Sequence, residues 1–396
     1  MRRRSIALAT VAGAGLAVGG RIAREAVGER LSARTERRLN VVADPGPYVL
    51  PAAVADLHER LTVVDLHADS LIWNRDLLVR ADRGHVDVPR LVEGGVAVQL
   101  FAVATKVPRH LNIERNDDRT DDMRLVALAQ GWPPATWRSL TARAEHLAGR
   151  LRDTVARSGG QLSLVRSAPD LDAFLRRRAG DPTLVAGLLA IEGAHALDGR
   201  VENLARIEAA GYRMVGIAHF FDTAFAGSAH GVKKGGLTSL GRELVRELER
   251  RAIIVDLAHA SAATIDDVLA IATRPLVVSH TGVRGVADNA RNLSDEQLRG
   301  IAATGGVIGI GFWPTAAGGD DVGSIARSIV HAVSVAGADH VAIGTDFDGA
   351  VPVPFDSSGM GLLTGALLAA GLGQDQVAAV MGGSAIRLLR SALPGG

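Results

Sequence analysis

Cysteine is absent from the 396 residues. Disulfides and thiolate metal sites are thereby excluded, and any metal must be held by histidine and carboxylates. A strong charge of either sign is missing too: the formal net charge is +1. No broad basic face is implied, which argues against nucleic acid as a partner. No internal repeat with a fixed period is present. The uncharged run Ser5–Gly20 has 16 residues, short of the ~20 that span a bilayer comfortably. What is present is ordinary globular material, 47% hydrophobic and 22% charged, a composition that excludes disorder.

The small net charge is unevenly spread. Residues 1–40 hold nine Arg and three Glu, a net +6, so the rest of the chain carries −5. Arg2–Arg4 precede the run 5–20, the layout of an export signal or short anchor. Arg21 and Arg24 follow at once, leaving no clean small-x-small cleavage site. The expectation is export, with the segment retained or cleaved; the alternative is a cytoplasmic protein with an amphipathic N-terminal helix. Residues 41–57, which include DPGPYVLP, read as a linker.

Eight apolar, β-rich runs follow: LTVVDLH (61–67), VAVQLFAVA (96–104), TLVAGLLAIEG (183–193), YRMVGIAHF (212–220), AIIVDLAH (252–259), PLVVSH (275–280), GVIGIGF (306–312) and HVAIGTDF (340–347). Near-continuous apolar strands are those of a parallel sheet buried on both faces. Helical periodicity lies between most of them, as in NLARIEAA, LTSLGRELVRELERR, ATIDDVLAIA and SDEQLRGIAA. Ser294 and Gln297 form a capping-box pattern opening the last. The order predicts an α/β fold, a (β/α)8 TIM-like barrel. Residues 105–181 are long for a connection, and their periodic patches predict added helices over one side of the barrel mouth. GGVIGIG resembles a phosphate loop only superficially and reads as the seventh strand.

Active sites of such barrels form at the C-terminal strand ends. There the runs carry His67 and Asp69, Glu192, His219, His259, His280 and Asp346. Any one of them alone is more often a hydrogen-bonded core or turn residue. Together they would cost several kcal/mol each if buried unpaired, and a central cation removes that cost. Parity gives the same answer: His67 matches Val63, His259 matches Val255 and His280 matches Val278, predicting that each ligand shares the inward face. His67, Asp69, Glu192, His259 and His280 suit one or two Zn²⁺ in a catalytic rather than structural centre. Two ions would need a bridging carboxylate, which Glu192 is best placed to supply. The other histidines read as structural, with His195 the nearest to the site, and Trp132 and Trp137 as packing.

VVDLHADS, DVPRLVEGGVAVQLFAVA, AIEGAHAL, RAIIVDLAHAS, VVSHTGVRGVADNARNLSDEQL and HVAIGTDFDG together resemble the membrane (renal) dipeptidase family, peptidase family M19, over about residues 58–390. The resemblance implies a metal-dependent hydrolase barrel over 58–392, with residues 105–181 as its helical insertion. It implies two zinc ions, one on His67 and Asp69 and the other on His259 and His280, bridged by Glu192. It further implies a substrate-binding His219 that steadies the oxyanion, an Arg291 that grips the free carboxylate of a dipeptide, and Asp346 as the acid–base group. Ala68, Asp222 and Ser384 depart from residues usual in the family. The implied activity is zinc-dependent hydrolysis of dipeptides by metal-activated water. The alternatives are a related amide hydrolase acting on N-acyl amino acids, β-lactams or D-configured dipeptides, and a non-catalytic surface binding protein on the same barrel. The sequence also allows membrane association through residues 5–20 and a homodimer.

Overall fold

VVDLHA is buried along its whole length, Asp65 and His67 included, so neither face of this strand meets water. The other apolar runs are buried over most of their length, and the computed structural model turns all eight into strands of one sheet. It describes residues 19–395, with residues 19–27 and 29 as backbone only. The run 5–20 therefore lies, but for its last two residues, outside the described residues. Among the described residues no helix is long and apolar enough to cross a membrane.

The strands are β1 (Val63–Ala68), β2 (Val96–Ala104), β3 (Leu162–Leu164), β4 (Val185–Glu192), β5 (Tyr212–Gly216), β6 (Ile254–Asp256), β7 (Val277–Thr281), β8 (Val307–Ile310) and β9 (Val341–Ile343). All pairings are parallel, in the order β2-β1-β9-β8-β7-β6-β5-β4, and β2 pairs with β4 to close an eight-stranded barrel. The short β3, not foreseen from the sequence, adds to β4 outside the ring at Leu162↔Val185. Gly344 is required where β9 passes β7: a Cβ there would lie 1.7 Å from the Ser279 carbonyl oxygen.

Two apolar layers hold the barrel. Val64, Leu66, Val98, Leu100, Ala186, Leu188, Met214, Ile254, Val277, Val307 and Ala342 come from all eight ring strands and fill its interior. A larger layer between sheet and helices includes Val63, Val255, Val278, Leu147, Leu244 and Ile301. The helix Asp295–Ala303 opens with the capping box expected of Ser294 and Gln297.

The insertion is helical, over Asp122–Ala129, Leu140–Arg157 and Ala168–Arg178, but it does not all cover the mouth. Leu147 and Leu151 pack Leu140–Arg157 on the outer layer. Leu171 and Phe174 join Ile386 and Leu389 of the last helix, Ser384–Ala392, against the barrel interior. These long amphipathic helices have an apolar stripe to bury, and the barrel's flank and floor offer apolar surface for it. Only the part up to about residue 130 reaches the pocket.

A buried polar knot ties the N-terminal helix Gly19–Leu39 to the barrel. Glu36, with no exposed surface, accepts from Arg75 Nε at 2.6 Å and Arg83 Nε at 2.8 Å. Arg75 also pairs with Asp348, whose carboxylate accepts from Ser70 Oγ at 2.6 Å and the His85 amide at 2.7 Å. The Asp348 amide donates to His85 Nδ1 at 2.9 Å. His85 must therefore be neutral, and burial lowers its pKa from 6.5 to about 4. The stability this contributes is complete above about pH 6.5 and lost as pH falls toward 4, because only the unfolded chain takes up the proton. Between pH 7 and 5 the protein should lose about 2 kcal/mol more than His85→Gln, whose amide oxygen accepts the same N–H without titrating. Urea unfolding of both proteins at the two pH values measures it; equal losses would show that His85 is not the source.

Candidate metal centre and pocket

Parity is not what aims the ligands inward. Val63, Val255 and Val278 belong to the sheet–helix layer, whereas their neighbours Val64, Ile254 and Val277 line the barrel. The face switches near each histidine through a local irregularity. On β1, Asp65 faces Gln99 and Ala68 faces Phe101, three steps against two. On β7, Val278 faces Ile308 and Thr281 faces Ile310, again three against two. Such bulges re-aim side chains at barrel rims. His259 lies beyond the end of β6 and takes a left-handed backbone, φ 62°, as does Asp346 beyond β9, φ 61°. For residues with a Cβ this conformation costs on the order of 1 kcal/mol or more.

The bulges and turns converge on Glu192, the last residue of β4. His67 Nε2 lies 3.6 Å from Glu192 Oε1, His259 Nε2 3.1 Å and His280 Nε2 3.4 Å. His219 Nε2 lies 3.2 Å from Oε2. His67 Nε2 is also 3.4 Å from Asp69 Oδ2. Asp69 is drawn toward Asp346 because its amide donates to the Phe347 carbonyl at 2.9 Å. Three sets of donor atoms each come within 4.8 Å of one another: His67, Glu192 and His280; Glu192, His219 and His259; His67, Asp69 and Asp346. All these residues are buried. His280 thus sits as near His67 as His259, and His219 stands within the donor set rather than beside it.

Two residues passed over in the sequence orient the imidazoles. Asp256, at the end of β6, accepts from the Ala258 amide at 3.0 Å, steadying the turn that carries His259. It also accepts from the Ser279 hydroxyl at 2.6 Å. With its only proton given to Asp256, Ser279 Oγ can only accept from His280 Nδ1, 2.9 Å away. His280 therefore carries its proton on Nδ1 and turns a lone pair at Nε2 toward Glu192.

These donors fit a divalent cation. His67 Nε2 and Asp69 Oδ1 are buried without a hydrogen-bond partner, and the Nε2 atoms of His259 and His280 face each other at 2.9 Å. Burial holds the pKa values of His219, His259 and His280 well below the usual range, with Arg291 and neighbouring imidazoles adding to it. Burial raises Glu192 far above the carboxylate range, reinforced by Asp69, and pushes Asp346 up to about 8. Burial also opposes a charge on His67, but Glu192, Asp69 and Asp346 outweigh it and raise His67 to about 10. Three acids drawing a proton onto one imidazole is the signature of a site short of positive charge. A bound cation supplies that charge.

The pocket above the centre holds about 300 Å³ and is lined by Asp69, Glu192, His219, His259, Asp346 and Arg291 among others. Arg291 is buried; one of its terminal nitrogens donates to the His280 carbonyl, and its Cζ lies 5.5 Å from the Trp313 ring centre. Its Nε has no partner. Burial lowers its pKa to about 10, so it remains charged at neutral pH. His230, read as structural, also faces the pocket: Nδ1 donates to the Ile113 carbonyl at 2.8 Å, leaving Nε2 buried and unpartnered. Its only sequence signal was an ordinary loop histidine. His195 stacks on His219, with ring centres 6.1 Å apart. Of the departures, Ala68 packs in the outer apolar layer. Asp222 accepts from the amides of Ser228 and Lys233, bracing the loop that carries His230. Ser384 donates to the Ala338 carbonyl.

A model of the family described as membrane dipeptidase (peptidase family M19) matches residues 52–393. A protein of Klebsiella pneumoniae, uncharacterised and encoded in the pqqA 5′ region, is 33% identical over 57% of this chain and 86% of its own. The dipeptidase verJ of Clonostachys rogersoniana is 29% identical over 78% of this chain and 76% of its own. Among solved structures, a metallopeptidase of Rhodobacter sphaeroides, bound to a phosphinate mimic of the dipeptide L-Ala-D-Ala, superposes with a TM-score of 0.69. It is 26% identical, covering 84% of this chain and 99% of that one.

Proposed function

Because this chain belongs to the membrane dipeptidase family, peptidase family M19, we infer that it is a metal-dependent dipeptidase whose centre would take two zinc ions, with Glu192 placed to be shared between them. One observation carries the reading: four imidazole Nε2 atoms, from four different strand ends, lie 3.1–3.6 Å from one buried carboxylate. His67 and Asp69 would hold one ion, His259 and His280 the other. When bound, such ions acidify a water and polarise the scissile carbonyl.

The protein's own groups do the rest. Asp346, beside Asp69 and His67, takes the proton of the attacking water and returns it to the leaving amine. His219 donates a hydrogen bond to the carbonyl oxygen as it gains charge. Arg291 holds the free carboxylate of the substrate with its planar fork, and the enclosed pocket limits that substrate to a short peptide.

Metal analysis of the purified protein, combined with hydrolysis of L,L- and L,D-dipeptides, tests the reading; the L,D arm follows from the ligand of the Rhodobacter relative. Two equivalents of zinc and dipeptide turnover are expected. Metal-loaded protein that cleaves only N-acyl amino acids, or nothing, would overturn it. Export through residues 5–20 and homodimerisation belong to the same proposal. Fractionation that leaves a tagged protein wholly cytosolic would remove the first, and a monomer by light scattering the second.

A further inference from the structure

The helix Gly19–Leu39 precedes the residues matched by the family model, yet it forms part of the pocket wall. Leu31, Thr35 and Leu39 are spaced four apart and share one face of the helix, and all three line the pocket. The helix is held close. Gly28 packs on the end of the helix Asp122–Ala129, where an added Cβ would lie 2.1 Å from the Ala129 carbonyl oxygen. Gln130 Nε2 donates to Ser32 Oγ at 3.3 Å. Glu36, clamped by Arg75 and Arg83, fixes the rotation of the helix about its axis.

The wall completed in this way is apolar. Beside Leu31 and Leu39, the same pocket is lined by Ile72, Met123 and Val126. The nearby acids are already engaged: Asp122 pairs with Arg109 at 3.1 Å, and Asp348 is bound by Arg75, Ser70 and His85. Among the described residues the one acceptor left on this side is Asp122 Oδ2, buried and without a partner, so an acidic side chain would find no cation here. Ring order gives the direction. Arg291 follows β7, and β2, whose loop carries Met123 and Val126, stands four strands away in a ring of eight, on the opposite side of the mouth. A dipeptide held by its carboxylate at Arg291 extends its amino-terminal residue toward the helix.

We propose that the helix Gly19–Leu39 is a specificity element that selects dipeptides whose amino-terminal residue carries a large apolar side chain. The proposal rests on the dipeptidase reading and on Arg291 as the carboxylate anchor.

The test uses the full, metal-loaded chain and compares kcat/KM for Leu-Ala, Ala-Ala, Asp-Ala and Lys-Ala. Wild type should favour Leu-Ala over Asp-Ala and Lys-Ala by about tenfold or more, the scale of an apolar pocket contact. Leu31→Ser should reduce the Leu-Ala to Ala-Ala ratio by about tenfold. Gly28→Val, which must push the helix off Ala129, should reduce the same ratio without altering a lining side chain. Thermal unfolding identifies which variants are folded; if Leu31→Ser is not, Leu39→Ser takes its place. An unchanged ratio in the folded variants, or equal rates for leucine and aspartate at the first position in wild type, overturns the proposal. No cleavage of any dipeptide by wild type would instead overturn the dipeptidase reading beneath it.

Discussion

Asp346→Asn is expected to lower kcat for a dipeptide by roughly a thousandfold, within the range general acid–base groups contribute, while the bound metal stays in place. The amide keeps the size and most of the hydrogen bonding of the carboxyl, so the turn after β9 should survive. It cannot take up and return a proton. Asp346 is buried and lies within 4.8 Å of donor atoms of His67 and Asp69. Burial lifts its carboxyl to about 8 even against the pull of His67 and Arg291; a cation nearby lowers it, bringing it toward the range where a group both accepts and donates near neutrality. Single-turnover kinetics alongside elemental analysis measures both halves. Turnover at the wild-type rate would remove Asp346 from the reaction.

Glu192→Gln should have the larger effect on metal. Groups that only support a ligand cost ten- to a hundredfold in affinity when lost, so losing the shared carboxylate should weaken binding by at least about a hundredfold and abolish turnover at ordinary zinc concentrations. The sign of the stability change should depend on the metal. With metal present the variant should melt below wild type, because binding stabilises only the folded state and the variant binds less. With metal chelated it should melt above wild type, because a buried carboxylate crowded by Asp69 and Asp346 has been replaced by a neutral amide. Melting curves with and without chelator, together with metal content, check the crossover. A variant that keeps both metals would refute the central position given to Glu192.

The eight barrel strands were legible because each is buried on both faces and so reads as an apolar run, and the site was legible because its acids and imidazoles end those runs. The reason first given for their direction was wrong. Period-two alternation makes Val278 and His280 companions, whereas the structure separates them by a bulge on β7. A bulge depends on how many residues the neighbouring strand offers, which one strand's sequence does not reveal. Ser279 and Asp256 were missed for a related reason. A serine between an apolar run and a histidine carries no signal until β6 and β7 lie side by side. The helix Ala168–Arg178 was foreseen as a helix but not as the floor of the barrel, since an amphipathic stripe states that it must be covered and not by what.

The left-handed backbones at His259 and Asp346 have an evolutionary reading. Glycine would adopt either conformation without penalty, and neither residue could then serve the chemistry proposed for it. At these two positions resistance to heat and catalytic rate pull in opposite directions. Laboratory evolution of the metal-free protein, scored on melting temperature alone, should drift there toward glycine or asparagine, arriving at hardier barrels that no longer turn over substrate.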